Sequence, residues 1–478
     1  MNTVIIRKLQ APHQSESFTK FMPLYPELAL EVKDRVTDIF NELGGKTLIK
    51  SSKDVYVKPN GIDAKPYCYT RPEVVRAVIE YWFDQGANRV FLLENSTQAN
   101  YTRVVFEVNG YRKVCRETGA IPIYLDEEKT KSFAFQGKEG AAGFTGVGYD
   151  LKQVEMPVTV VEKLIDRGEE NLYVSLPKLK THSMSGVTLG IKGQWGFPVH
   201  KSRGIDHNHN LHYKLVDVLS YVKPDVTLIE GVEGTIHGHY PATTLADACV
   251  KPFRVLIASG NVVAADLVGA RMFGLEKKDV PHLKLAIERG YGGGVQDLGD
   301  IHLTGDIPSL NGMDLIGDIP ESGAYSTDLY DSFPDDVTII KGSEMACREG
   351  CVNNPMTLLQ VLYNDHQGKT GWTLVLGKGF DPKEIDVIKG KVLIAGHCAI
   401  EEVSDRLIQR LGRKNVYLSG ECNDLCSTAE AMFHLMKVNP INFIPRNRVM
   451  AVVAFVQAKM NGSTSRVPGI LSHLLKAV

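Results

Sequence analysis

The chain of 478 residues has no long apolar run, almost no net charge, no C-x-x-C pair and no glycine-rich nucleotide loop. Each absence removes a class of function. No window approaches eighteen uninterrupted apolar residues, so a membrane-spanning helix is not expected. The start, MNTVIIRKLQAPHQSESF, lacks the apolar core and small-residue cleavage site of a secretory signal, which points to the cytoplasm. Lys and Arg number 54 against 56 Asp and Glu, and the net charge of -2 gives no global attraction to nucleic acid or to an anionic membrane. Any basic site must be local. There is no G-x-x-x-x-G-K-S/T loop and no G-x-G-x-x-G between a strand and a helix, and YGGGVQD follows a helix and reads as its C-cap. No repeat of fixed period and no low-complexity tract is present.

What is there is an ordinary globular composition, 43% hydrophobic and 23% charged, on a chain too long for one core. Strand-like and helix-like stretches alternate. DVYVKPN, a helix over RPEVVRAVIEYWFDQGA, RVFLLENS, a helix over VVFEVNGYRKVCRETGA and IPIYLD spell βαβαβ, which implies a parallel sheet flanked by helices. Further strands fit NLYVSLPK, DVTLIEGV and FRVLIASG, with a helix over NVVAADLVGARMFGL. Residues 311–335 are rich in Gly, Pro, Ser and Asp and read as a linker. Beyond it the alternation restarts. The expected class is α/β with mostly parallel sheets. A core domain spans 1–310, a second, smaller α/β domain 336–440 and a C-terminal extension 441–478.

The densest chemistry lies just past the strand NLYVSLPK. Seven of the fourteen histidines fall in residues 182–239, together with Lys178, Lys180, Lys192 and Lys201 and several glycines. In parallel α/β sheets ligands bind where the carboxyl ends of strands meet loops and helix N-termini. Grouped lysines repel one another unless an anion offsets them, so this spacing predicts a carboxylate or phosphate site. Neutral imidazoles suit proton transfer. Candidate catalytic groups are Lys178, Lys180, His182, Lys192, His200 and His207. Candidate substrate contacts are Lys58, Asn60, Arg71, Thr181, Thr188, His209 and His237. Asp206, His212 and His239 lie in the same stretches, and His207, His209 and His212 are spaced unlike any standard zinc signature. On a loop, each of these side chains alone would ordinarily face water.

Five of the eight cysteines, Cys347, Cys351, Cys398, Cys422 and Cys426, cluster in the last third and fall beyond predicted strands on one sheet edge. In a reducing compartment such thiols are metal ligands or buried free thiols rather than disulfides. Thiolates gathered without tight knuckles suit an iron–sulfur cluster, expected as 4Fe–4S, ahead of zinc.

VYVKPN, TRPEVVRAVIEYWFDQGANRVFLLENS, VFEVNGY, SLPKLKTHSMSGVTLGIKGQWGF and VLIASGNVVAADLVGARMFGL together resemble the bacterial and archaeal family called domain of unknown function 362, over residues 50–305. P-K-L-K-T-H followed by V-T-L-x-I-K is the most specific part, and Gly193 stands where family members commonly carry Asn. Some members carry ferredoxin-type clusters, which the resemblance extends to the cysteine region here. More distantly, Thr70 to Pro72 and the P-K-x-K-T-H stretch are similar to motifs of the lactate racemase family. That resemblance implies a nickel-pincer nucleotide anchored on Lys178, Lys180 or Lys192, with His182 or His200 as ligand or base.

Together these features describe an iron–sulfur enzyme acting on a small anionic metabolite by His-assisted proton transfer, as isomerase or lyase, or by reductive chemistry with an electron-donor protein. A homo-oligomer is compatible with either case. The alternative is a non-catalytic iron–sulfur electron carrier or metallocofactor-handling protein. An enzyme requires a cleft between the domains with the lysines and histidines facing inward. A carrier requires an exposed cluster.

Overall fold

The computed structural model describes residues 2–10, 17–18, 26–49, 53–97, 99–134, 145–146, 149–150, 153–200, 207–306, 334–422, 424–443 and 449–466. Most of the expected linker, Lys201 and Asp206 therefore lie outside the described residues.

The expected βαβαβ unit is present. Strand Asp54–Pro59 runs parallel to Arg89–Glu94, which runs parallel to Ile121–Tyr124. Between the first two lies helix Pro72–Asp84, opened by Pro72 at a position where a missing N–H costs nothing. Its apolar residues recur at helical spacing, burying Val74, Val78 and Trp82 completely, and each such side chain contributes about 1.5–3 kcal/mol. The second expected helix is broken into Thr102–Val108 and Tyr111–Thr118 at Gly110, whose φ of 83° favours glycine.

Among the described residues the core sheet has eleven strands, eight of which run in the order His302–Gly305, Thr3–Lys8, Val255–Ser259, Val226–Thr235, Asn171–Leu176, Asp54–Pro59, Arg89–Glu94, Ile121–Tyr124. The five strands from Val226–Thr235 onward are parallel. Val255–Ser259 is antiparallel to both neighbours, so the sheet is mixed at that end. Strand Thr3–Lys8 and helix Pro26–Glu42 complete that end of the core.

The second domain is a four-stranded parallel sheet, Thr338–Lys341, Thr373–Leu376, Val392–Ala395 and Val416–Leu418 in sequence order. Helices Asn353–His366, His397–Leu411 and Leu425–Met436 accompany it. It docks on the core domain through polar contacts. Asp365 accepts from the backbone N–H groups of Thr243 (2.8 Å) and Thr244 (3.0 Å) and from Lys65 Nζ (2.9 Å), and Asn353 Nδ2 donates to the Ser183 carbonyl at 2.6 Å.

Helix Val449–Met460 then crosses back to the core domain, where Ala454 and Ala458 pack on Tyr101 and Val104. The residues after it are tied down by the Thr464 N–H to the Asp126 carbonyl (2.7 Å) and by Ser465 Oγ with His200 Nε2 (2.8 Å). Among the described residues no helix is long and apolar enough to cross a membrane.

Candidate functional site

A cavity of about 300 Å³ lies between the two domains, at the carboxyl ends of strands Asp54–Pro59 and Arg89–Glu94. Its polar floor comes from the core domain. Of the candidate residues, Lys58, Asn60, Lys180 and His182 line it. So do Thr188, Lys192 and His207.

The stretch Lys178–His182 is a strand, not the loop that its charge suggested. It pairs with Val226–Thr235 parallel, with a register shift between Lys178 and Lys180. Strand pairing takes both lysine side chains wholly out of solvent, and they meet different fates. Lys178 Nζ donates to both Glu230 oxygens, at 2.9 and 2.8 Å. Arg71 donates from Nε to Glu233 (2.8 Å), also pairs through Nη2 with Glu233, and its backbone N–H donates to Glu230 at 3.1 Å. Lys178 and Arg71 are thus joined in one buried ion network that does not line the cavity.

Lys180 differs. Its Nζ donates to the Cys68 carbonyl at 2.6 Å, with no carboxylate bonded to it among the described residues. Burial, aided by the nearby Lys178 charge, lowers its pKa from 10.5 to about 8. His182 and His239 stack beside it with ring centroids 3.9 Å apart and planes 3° from parallel. Burial, then His239, Lys192, His207 and Lys180, holds the His182 imidazole neutral, and burial, then Lys180, Lys192 and His207, does the same for His239, both well below the ordinary value. His182 Nδ1 accepts from the backbone N–H groups of Met184 (3.1 Å) and Ser185 (3.3 Å), so the neutral ring carries its proton on Nε2.

The acidic side chains on the floor are already engaged. Glu94 accepts from Lys58 Nζ (2.6 Å) and from the backbone N–H groups of Gly61 (2.9 Å) and Asn95 (2.8 Å). Asp63 accepts from the Lys65 N–H at 2.9 Å. In contrast Asn60 Oδ1 and Thr188 Oγ1, both buried at the cavity, have no hydrogen-bond partner among the described residues. Lys192 is placed by the short helix Gly190–Gly193, whose first two N–H groups donate to the buried Asp266 carboxylate at 2.7 and 2.8 Å. Burial raises Asp266 to about 7.

The other candidates stand away from the cavity wall. Thr181 Oγ1 bridges the Thr235 carbonyl (3.1 Å) and the Gly238 N–H (3.0 Å), and His237, with φ 63°, is lowered to about 4 by burial and Lys251. His200 bonds Ser465, and the His209 backbone bonds Cys347. His212 meets His282, Nδ1 to Nδ1, at 3.2 Å. The wall also holds His239, Trp195, Tyr240 and Asp63, which the candidate list omits.

Cys347, Cys351, Cys398 and Cys422 form one electrostatic group. Burial raises Cys347 to about 11 and Cys351 to about 12, and in each the charges of Cys422 and Cys398 push further upward. Cys422 is raised by burial and then by Cys398. Cys426 is raised to about 12 by burial and by Glu430 and Asp424, outside that group. Four part-exposed thiols have the donor chemistry of a soft metal site. Among the described residues, however, no three His, Cys, Asp or Glu side chains form a set that could hold a metal ion.

The matched family region coincides with the polar floor. Residues 55–271 match the family described as domain of unknown function, DUF362. A thylakoid-associated protein of Synechocystis is 26% identical over 260 residues, 51% of this chain and 70% of that one. A crystal structure of a Thermotoga maritima protein aligns at 10% identity and a TM-score of 0.32, covering 86% of this chain and 92% of that one. Neither bears on the resemblance to lactate racemase. Every polar wall residue from Lys58 to His239 falls within the matched region, and the wall formed by residues 354–455 lies outside it.

Proposed function

We propose that the chain is an enzyme that binds a small carboxylate- or phosphate-bearing substrate in the interdomain cavity and moves a proton on it. The observation that carries this reading is Lys180, fully buried on the cavity wall with a pKa near 8 beside two imidazoles held neutral. A group poised near neutral pH serves a general acid or base, and burial plus specific charges is how such values arise.

In this reading Lys192 supplies positive charge for the anionic group, and Thr188 Oγ1 donates a hydrogen bond to it. His182 offers its Nε2–H to the oxygen on which charge develops. Lys180, in its neutral fraction, takes the proton from the carbon or oxygen that loses it. Lys180 then returns the proton to the substrate, at another face or atom in an isomerisation, which regenerates the neutral amine and releases the product.

We propose also that Cys347, Cys351, Cys398 and Cys422 are the place of a soft metal, with Cys426 outside the set. Support comes from donor chemistry and from their mutual charge effects, and the arrangement as it stands is not a closed ligand shell. An iron–sulfur cluster or zinc ion there would supply electron storage or Lewis acidity. No proton-transfer step depends on it.

The test is isotope exchange. The anaerobically purified protein is incubated with a metabolite extract in deuterated water, and anions are screened by mass spectrometry for incorporated deuterium. At least one carboxylate or phosphate should exchange with wild type and not with Lys180→Met. Exchange in neither, or in both equally, overturns the reading.

A further inference from the structure

The cavity has two chemically different walls. The core domain lines the cavity with the lysines and histidines, and the second domain and the returning C-terminal helix line it with Leu358, Val361, Leu425, Phe433, Phe443 and Phe455. Tyr101 stacks edge-on with Phe455 at 5.2 Å and continues this wall from the core side. A small hydrophilic anion would fill only the polar end. The apolar end would then hold water with too few polar partners, an unfavourable state for a space lined by hydrocarbon and aromatic rings.

We infer that the substrate is an amphipathic anion, with a carboxylate or phosphate head on the Lys180, Lys192 and Thr188 side and a hydrocarbon or aromatic body against the second-domain wall. This rests on the anion-site reading above and adds the class of the rest of the molecule. Size follows from volume. A cavity of about 300 Å³ is at the small end of ligand pockets, which span roughly 300–1,000 Å³, so the body is a short chain or a single ring. Selectivity for the body falls to residues outside the family-matched region, so this chain's C-terminal third determines which amphiphile enters.

The geometry also explains the route of the C-terminal segment. Helix Val449–Met460 carries Ala451 and Phe455 on the cavity side, and the residues that follow are pinned to Asp126 and His200. The helix therefore completes the apolar wall instead of trailing from the second domain.

Trp195 lies on the wall and reports occupancy by its fluorescence. The full-length protein is titrated with acetate, butyrate, hexanoate, octanoate and decanoate, and with octylammonium. Affinity should tighten about fourfold per methylene up to octanoate and then level off, while octylammonium binds at least tenfold more weakly. Phe455→Ala should weaken octanoate and leave acetate unchanged. Acetate and octanoate binding with equal affinity overturns the amphiphile inference and leaves the anion site standing. No binding of any carboxylate, or octylammonium binding as tightly as octanoate, overturns the anion site itself and the inference with it. The wild-type series decides the matter even if the variant fails to fold.

Discussion

Replacing Lys180 by methionine should change how stability depends on pH, and the size of the effect follows from its surroundings. The lysine is fully buried, bonded among the described residues only to a carbonyl, and lowered from 10.5 to about 8. Between those two values the folded chain binds fewer protons at this site than the unfolded chain. Unfolding therefore takes up a proton, and stability rises with pH through that window. At pH 7 the buried charge costs about 3 kcal/mol and at pH 9.5 about 1 kcal/mol, so the wild type should gain about 2 kcal/mol relative to Lys180→Met over that range. The lost hydrogen bond to Cys68 costs the variant about 1–3 kcal/mol at both pH values and cancels from the difference. Urea unfolding of both proteins at the two pH values measures it. A wild-type-minus-variant difference that does not change with pH would refute a depressed lysine here.

Lys178→Met should destabilise the fold by about 3–5 kcal/mol in the same assay, because it strips Glu230 of its cation in a buried network; a loss under 1 kcal/mol would show that the network is dispensable. Gly190→Ala places a Cβ 2.6 Å from Val262 Cγ2 and 3.0 Å from Asp266 Oδ1. It should lower the melting temperature through overpacking of about 1–3 kcal/mol, checked by calorimetry. His182→Asn should slow deuterium exchange about 100- to 10,000-fold while leaving the circular dichroism spectrum intact. If the thiols hold a cluster, anaerobic protein should absorb near roughly 400 nm. Cys398→Ser should then remove the colour and the iron, and Cys426→Ser should leave both.

The alternating strands and helices were legible because buried parallel strands such as RVFLLE are apolar throughout, and their helices repeat every three to four residues. What misled was charge. Charge alone puts Lys178, Lys180 and His182 in an anion-binding strand-end loop, although they alternate with Leu179 and Thr181 at the period of a strand. The acidic pair Glu230 and Glu233, inside the otherwise apolar run VTLIEGVEGT, was the signal that these cations are matched internally. Asp266 in the apolar helix VVAADLVGAR was a similar signal, for a carboxylate that caps another helix. The apolar wall was hidden for a different reason. Leu358 and Phe433 carry the same helical spacing whether they face their own sheet or a second domain, and docking across domains leaves no local pattern. Cys426 likewise shares its four-residue spacing with Cys422, and only the fold separates the two.

The central claim is that Lys180 is a poised, anion-facing base. A magnetic resonance titration of the protein carrying isotope-labelled lysine side chains, with Lys180→Met to assign the signal, measures this directly. The account predicts a titration midpoint near pH 8 that moves upward when octanoate occupies the cavity. A midpoint at the ordinary lysine value of about 10.4, or one indifferent to the anion, would contradict it.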